Sequence, residues 1–208
     1  MTSATVPPGR LLRDVSMADA RNGYIAGDAS GLSGTLLRTR NGGQSWSSVT
    51  TSLVDDWIAV SLTPRGTKGW VLGGGRGVRL HFDGAAWGTQ TTGDANNAAH
   101  DYSDVGMASE TLAFASQSGA AGARMFRWDG SGWLADQVTG GIFGMDVRSP
   151  TEGIAVGDAG NTWRLNASSE WERFPDKPRT ASRDLYAVAM VSPDLIWAVG
   201  ERGALRVW

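Results

Sequence analysis

Three aspartates recur at one place in the chain, each directly before a valine of a short apolar segment: Asp14, Asp104 and Asp146. Two carboxylates on either side of a glycosidic bond can act as acid and base in its hydrolysis. A carboxylate that recurs in successive repeats is more simply explained as an acceptor for backbone N–H groups. We therefore predict no catalytic residue in this chain.

A second set of residues consists of types that bind ligands, and they lie in or beside irregular segments. An exposed aromatic ring near arginines can stack on a sugar or clamp a side chain of a partner. Trp57 and Tyr102 share one repeat position, three residues before an anchor valine, and are expected at the mouth of a central channel. His100 beside Asp101 is too little for a metal site, so no metal and no cofactor are predicted. The candidate ligand contacts are Trp57, Arg76, His100, Asp101, Tyr102, Arg179, Arg183 and Arg202.

The elements that carry these residues are repeated. Three kinds of strand-like segment follow one another in fixed order, and the first contains a valine anchor. The anchors recur about every 40–45 residues, and such a period with four short strands per unit indicates the blades of a β-propeller. They are Val15, Val60, Val105, Val147 and Val188.

A fourth segment follows only the first four repeats, so the fifth repeat lacks its outer strand. Thr2–Pro8 resembles the fourth segment "WSSVTT", and we expect it to complete the C-terminal blade and close the ring. The predicted fold is all-β: a single domain, 1–208, forming a five-bladed β-propeller of four-stranded antiparallel blades. The alternatives are a fragment of a larger ring and a unit that closes only as an oligomer. The predicted blades are 12–53, 57–93, 102–140, 144–178, and 185–208 together with 1–8.

A turn motif recurs between the third and fourth segments, as in "TRNGGQSW", "HFDGAAW" and "RWDGSGW". Its Asn or Asp can accept backbone N–H groups, and its glycines allow positive φ. Its tryptophan is expected to bury its ring beside the next sheet, with the indole N–H bonded. Because the turn recurs in the first four repeats, and a turn device is needed in every blade whereas a catalytic group is needed once, we predict a structural role for its residues. They are Asn41, Gly43, Trp46, Asp83, Gly84, Trp87, Asp129, Gly130, Trp133 and Trp171.

The first of these turns resembles the Asp-box, Ser/Thr-x-Asp-x-Gly-x-Ser/Thr-Trp. Together with "GIAVGDAGNTWRL" and "WAVGERGALRVW", it resembles the BNR/Asp-box propellers, which include sialidases and the photosystem II assembly factor-like repeats. The resemblance implies a propeller whose box is a folding element on the face away from the active site. The arginine trio and tyrosine–glutamate pair of sialidases find no matching positions here. The five blades, rich in Trp and Gly, are also similar to tachylectin-type lectins, which bind amino sugars.

Composition excludes several classes of function. The formal net charge is −2, and no basic face of the kind that binds nucleic acid is evident. No apolar run is long enough to span a bilayer, and the start "MTSATVPPGR" lacks a signal core. We expect a soluble monomer, either cytoplasmic or the mature domain of an exported protein.

Because a propeller fold by itself carries no activity, function must come from its loops. We expect a non-catalytic binding or scaffold module that recognises a protein or other ligand through the loop face around the channel. The alternatives are a carbohydrate-binding lectin and, third, a degenerate glycosidase. The irregular segments on that face are 27–34, 92–104, 116–123 and 175–186.

Overall fold

The computed structural model describes residues 6, 9–30, 33–51, 53, 55–74, 77–90, 101–118, 124–174 and 183–208. They form short antiparallel strands joined by tight turns, in agreement with the all-β prediction. No helix among the described residues is long and apolar enough to cross a membrane. The chain divides into two compact units, Met1–Val105 and Gly106–Trp208.

The first unit contains two four-stranded sheets, each with its strands in chain order. Tyr24 from the first sheet and Trp57 from the second belong to one apolar cluster. The first sheet consists of β1 (Leu12–Met17), β2 (Gly23–Ser30), β3 (Ser33–Thr39) and β4 (Ser47–Ser48), and the second of β5 (Trp57–Leu62), β6 (Gly69–Gly73), β7 (Arg79–Phe82) and β8 (Trp87–Thr89).

The third sheet begins at the boundary of the units, which falls within its first strand. It consists of β9 (Asp101–Met107), β10 (Ala113–Ser118), β11 (Arg124–Trp128) and β12 (Trp133–Thr139).

The second unit continues with a four-stranded and a three-stranded sheet. Phe114 and Trp171 belong to its main apolar cluster, and Ile154 packs with Met190 in a smaller one. The fourth sheet consists of β13 (Ile142–Ser149), β14 (Glu152–Gly157), β15 (Thr162–Leu165) and β16 (Trp171–Arg173), and the fifth of β17 (Leu185–Ser192), β18 (Leu195–Gly200) and β19 (Leu205–Val207).

Strand register corrects the repeat alignment in the fourth sheet. Val15 pairs with Ile25, two residues before the glycine that ends the regular pairing of β2 with β1. The residue at that position in the fourth sheet is Met145, which pairs with Ala155, so Val147 was the wrong anchor. In this repeat the valine of the Asp–Val pair lies two residues after the anchor position. The anchor is defined by its pairing with the second strand, two residues before the glycine at which that strand ends.

The first strand of the first sheet exposes apolar side chains that matching strands bury. Leu12, Val15 and Met17 are 43%, 56% and 44% exposed. The residues at the same register positions of β5 are all buried: Trp57, Val60 and Leu62.

In the fifth sheet the exposed apolar side chains lie on the second and third strands, not on the first strand as in the first sheet. Its exposed residues include Trp197 and Leu205. At the matching positions of the fourth sheet, Ile154 and Thr162 are buried, and Ile154 packs with Met190 of β17. The exposed large apolar residues of these two strands are Leu195, Trp197, Val199, Leu205 and Val207.

Candidate functional site

The two aromatic residues predicted at the channel mouth are in the core. Trp57 is 0% exposed and Tyr102 is 2% exposed, so the expectation of exposed rings is wrong. The hydroxyl of Tyr102 accepts a hydrogen bond from the buried guanidinium of Arg79. The sequence contained a signal for this burial, because the residues at the same register position in other sheets, Ile142 and Leu185, are apolar. Neither aromatic ring is accessible for stacking on a ligand.

Of the predicted arginines, the structure brings Arg183 and Arg202 together. Arg183 donates to the backbone oxygen of Arg202 over 3.3 Å, and Arg202 forms an ion pair with Glu201 at 3.2 Å. Both arginines are exposed. Three further candidates, Arg76, His100 and Arg179, lie outside the described residues, as does the side chain of Asp101.

The turn that carries Arg202 has a backbone conformation that non-glycine residues seldom adopt. Arg202 has φ 52°, and Ala159, in the matching turn of the fourth sheet, has φ 48°. The carboxylate of Asp184 accepts the N–H of Ala159 at 2.9 Å. Asp56 accepts the N–H of Ala29 in the same way at 2.7 Å, so carboxylates anchor these turns to the following sheet.

The aspartates that could have formed a catalytic pair bind backbone groups instead. Asp14 accepts the N–H groups of Val15 and Val60, both at 2.7 Å. Burial raises the pKa of the Asp14 carboxyl, and these two hydrogen bonds oppose the shift. Asp146 accepts the N–H of Met190 at 2.7 Å. Asp14 and Asp146 each join neighbouring sheets within their unit.

These aspartates do not occupy one repeat position, contrary to the sequence reading. Asp146 matches Ser16, because each bonds the N–H two residues after the anchor in the next sheet. The hydroxyl of Ser16 accepts from Leu62 at 3.1 Å. Asp104, which accepts the N–H of Val105 at 2.7 Å, keeps the position of Asp14.

The Thr39–Trp46 turn is held by its own side chains. The amide oxygen of Asn41 accepts the N–H of Ser45 at 3.0 Å, and the hydroxyl of Thr39 accepts the N–H of Gly43 at 2.9 Å. Gly43 has φ 82°, which favours glycine. The indole N–H of Trp46 donates to the backbone oxygen of Gly43 at 3.1 Å. The structural role predicted for this turn agrees with these bonds.

Carboxylates serve the equivalent turns of the second and third sheets. The N–H groups of Ala86 and Ala85 bond Asp83 and lower its pKa. The hydroxyl of Ser131 and two backbone N–H groups lower the pKa of Asp129 to about 2. Gly84 and Gly130 have φ 105° and 94°, as the turns require.

Two of the turn tryptophans, Trp87 and Trp171, pack against the preceding sheet and not the next one. Trp87 meets Tyr24 edge to face at 5.2 Å, and Trp171 meets Phe114 at 5.3 Å. Trp133 is buried as well. The buried indole nitrogens of Trp87 and Trp171 have no hydrogen-bond partner in the described part of the chain, contrary to the prediction. Aromatic contact has taken the place of the expected hydrogen bond at these two rings.

A pocket of about 260 Å³ lies beside the Thr39–Trp46 turn, where the sequence reading placed no site. The available sequence signal was the pair of arginines, Arg38 and Arg40, directly before a turn whose acceptor is the neutral Asn41. The pocket is lined by Arg38, Arg40, Asn41, Ser45, Trp46 and Ser47.

No protein-family model and no curated protein matches the chain. Solved structures match nearly all of it. YCF48 bound to D1 peptide is 21% identical with a TM-score of 0.57, covering 96% of this chain and 79% of that one. YCF48 from Cyanidioschyzon merolae is 18% identical with a TM-score of 0.67, covering 98% and 68%.

A third similar structure is the WD40 β-propeller domain of Doa1. It is 9% identical with a TM-score of 0.65, covering 99% of this chain and 67% of that one. At such identities the likeness bears on the fold alone. Five antiparallel sheets and these neighbours together identify the chain's fold as a β-propeller.

Proposed function

We propose that the chain is a non-catalytic propeller that binds a protein partner through the loop face formed by its second-to-third-strand turns. The similar structure of YCF48 has a bound D1 peptide, which supports a peptide as the class of ligand. The role of the buried Trp57 and Tyr102 in this proposal is to hold the face in place. The surface contacts are Arg183 and Arg202.

The observation that carries the proposal is the exposure of the Arg202 side chain together with its backbone conformation. Its side chain is 79% exposed although its backbone holds a left-handed conformation. Ala159 and Arg65 share this backbone conformation, so what distinguishes Arg202 is an exposed guanidinium in a second-to-third-strand turn. Exposed arginines are frequent anchors at protein interfaces, since one guanidinium offers several donors to a partner. Arg183 and Arg202 together form a cationic projection on the loop face.

Selection of displayed random peptides against the purified chain tests this proposal. We expect selected peptides to lose at least about tenfold in affinity for Arg202→Ala, measured by fluorescence anisotropy. Arg65→Ala is the matched control, because Arg65 is also exposed with positive φ but lies in the first-to-second-strand turn of its sheet. Its affinity should stay unchanged.

Other outcomes would replace the proposal. If the peptides bind Arg202→Ala and Arg183→Ala with the same affinity as the unaltered chain, the binding site does not lie on the loop face. Failure to select any peptide, with binding to one class of sugar on a glycan array, would favour the lectin. Hydrolysis of a glycoside would overturn the non-catalytic assignment.

We also propose that the blades form one closed ring within a monomeric chain, with Thr2–Pro8, which lies outside the described residues except for Val6, as the outer strand of the fifth blade. Three observations support closure: the fifth sheet has three strands, β1 exposes an apolar edge, and β18–β19 expose an apolar face. Both surfaces match positions that neighbouring blades bury. In this proposal the Thr39–Trp46 turn is a BNR-type box with a role in folding.

A further inference from the structure

The pocket beside the Thr39–Trp46 turn is built from one short stretch, running from the end of β3 to β4. Its volume of about 260 Å³ lies below the roughly 300–1,000 Å³ of drug-sized sites. A pocket of this size suits one side chain or one chain terminus. Because the turn bonds hold Asn41 and Trp46, the wall of the pocket is fixed before any ligand arrives.

The pocket is electropositive. Arg38 and Arg40 line it, and its lining includes no acidic side chain. Neither arginine forms an ion pair with another described residue. The guanidinium of Arg38 lies over the ring of Tyr24 at 5.6 Å, and its Nε is buried with no hydrogen-bond partner in the described part of the chain. Arg40 is exposed.

The turn residue itself contributes to this charge. Equivalent turns in the second and third sheets use Asp83 and Asp129, which bring a negative charge to the same place. In the first sheet, Asn41 accepts the equivalent backbone bond without a charge. The amide of Asn41 also donates to the hydroxyl of Ser45, and because the side chain is neutral the two arginines have no carboxylate beside them in the pocket lining.

We propose that this pocket binds a carboxylate of an acidic segment in a protein partner, an inference that rests on the proposed protein-binding function. Guanidinium groups donate paired hydrogen bonds to carboxylates. The hydroxyl of Ser45 accepts from Asn41 at 2.8 Å and retains its own hydrogen for donation. The ring of Trp46 supplies an apolar wall for the methylene groups of a glutamate. The pocket is a second contact, separate from Arg183 and Arg202.

The test uses a fluorescent peptide of alternating Gly and Glu and its Gly–Gln counterpart, titrated with the full chain in low salt. We expect the Glu peptide to bind and the Gln peptide to bind at least about fivefold more weakly, because the site recognises charge. Asn41→Asp should abolish binding of the Glu peptide, because it places a carboxylate beside the two arginines. It keeps an acceptor for the N–H of Ser45, as Asp83 and Asp129 do in turns that are one residue shorter. Arg40→Gln should weaken binding at least about fivefold.

Arg124→Gln is the matched control, because Arg124 is exposed at the start of β11 and carries the same charge change. Equal weakening by Arg40→Gln and Arg124→Gln would show unspecific attraction and overturn the proposal. So would unchanged binding by Asn41→Asp, or the absence of binding. Inorganic phosphate that displaces the peptide at lower concentration than acetate does would overturn the carboxylate assignment in favour of a phosphate ligand.

The same titration with Arg202→Ala separates this inference from the proposed function. Unchanged binding of the Glu peptide by that variant locates the contact in the pocket. If the selected peptides require Arg202 but the Glu peptide does not bind, the pocket inference is wrong and the proposed function stands. Failure of both peptide classes would remove protein binding altogether.

Discussion

At the scale of single residues, one side chain in each turn holds the turn by accepting hydrogen bonds from its backbone N–H groups. Asn41 and Asp129 accept backbone N–H groups at equivalent places, although one is neutral and the other ionised. The ionised residue makes the stability of its turn depend on pH, whereas the neutral one does not. A carboxylate whose pKa is lowered by folding stabilises the fold above its unfolded pKa of 3.8, and this contribution is lost as pH falls towards the folded value of about 2.

We therefore expect Asp129→Asn to reduce the acid sensitivity of the chain. At pH 6 its urea midpoint should fall, because the charged form of Asp129 no longer contributes. The drop in midpoint between pH 5 and pH 2 should become smaller, since one group with a lowered pKa has been removed. Urea denaturation followed by tryptophan fluorescence measures both. An unchanged drop between pH 5 and pH 2 would mean that the Ser131 and Gly132 bonds do not perturb Asp129 in solution.

At the scale of elements, close backbone approach explains the glycine that ends a second strand. A Cβ at Gly157 would overlap the backbone oxygen of Gly141. Gly27 and Gly200 meet the oxygens of Leu11 and Asp184 in the same way. The φ of Gly157, −169°, is ordinary extended backbone, so space and not conformation selects the glycine.

Gly157→Ala should lower the free energy of unfolding by about 1–3 kcal/mol, the usual cost of overpacking. Gly88→Ala is the control, because Gly88 also lies in a strand but nothing lies within 4 Å of an added Cβ. That variant should stay within about 0.5 kcal/mol of the parent. Equal effects of the two substitutions in chemical denaturation would contradict the close-approach argument.

The same elements show which features a sequence can reveal. The turns were predictable because Asn41 and Asp129 have the right chemistry beside glycines, and chemistry of that kind acts within a few residues. The burial of Trp57 depends on the adjacent sheet, which supplies Gly34 against its ring. The position of Met145 depends on pairing with β14. Acceptor oxygens that bond within their own turn could therefore be predicted, whereas the burial of Trp57 and the register of Met145 depend on adjacent sheets and strands and could not.

At the scale of the whole molecule, the contacts between consecutive sheets indicate which residues should cover the exposed apolar side chains of the first and fifth sheets. Leu36 of the first sheet and Trp57 of the second share one apolar cluster, as do Met125 and Ile142. By register, Leu205 takes the position of Leu36. Covering exposed apolar side chains stabilises a fold by about 1.5–3 kcal/mol for each one fully buried. The proposed closure would thus provide a partner for Leu205.

In the proposed closed ring, the same register would make Leu12 that partner, because Leu12 holds the position that Trp57 has in β5. Because the chain has no cysteine, Leu12→Cys with Leu205→Cys should form one intrachain disulfide under mild oxidation, with the mass of a monomer. A disulfide requires the two Cα atoms to approach within about 7 Å, so its formation would report the proposed contact. Leu12→Cys with Leu134→Cys, a pair equally exposed, should stay reduced. Crosslinked dimers from the first pair would show instead that a second copy covers the face, and the closed ring within one chain would be wrong.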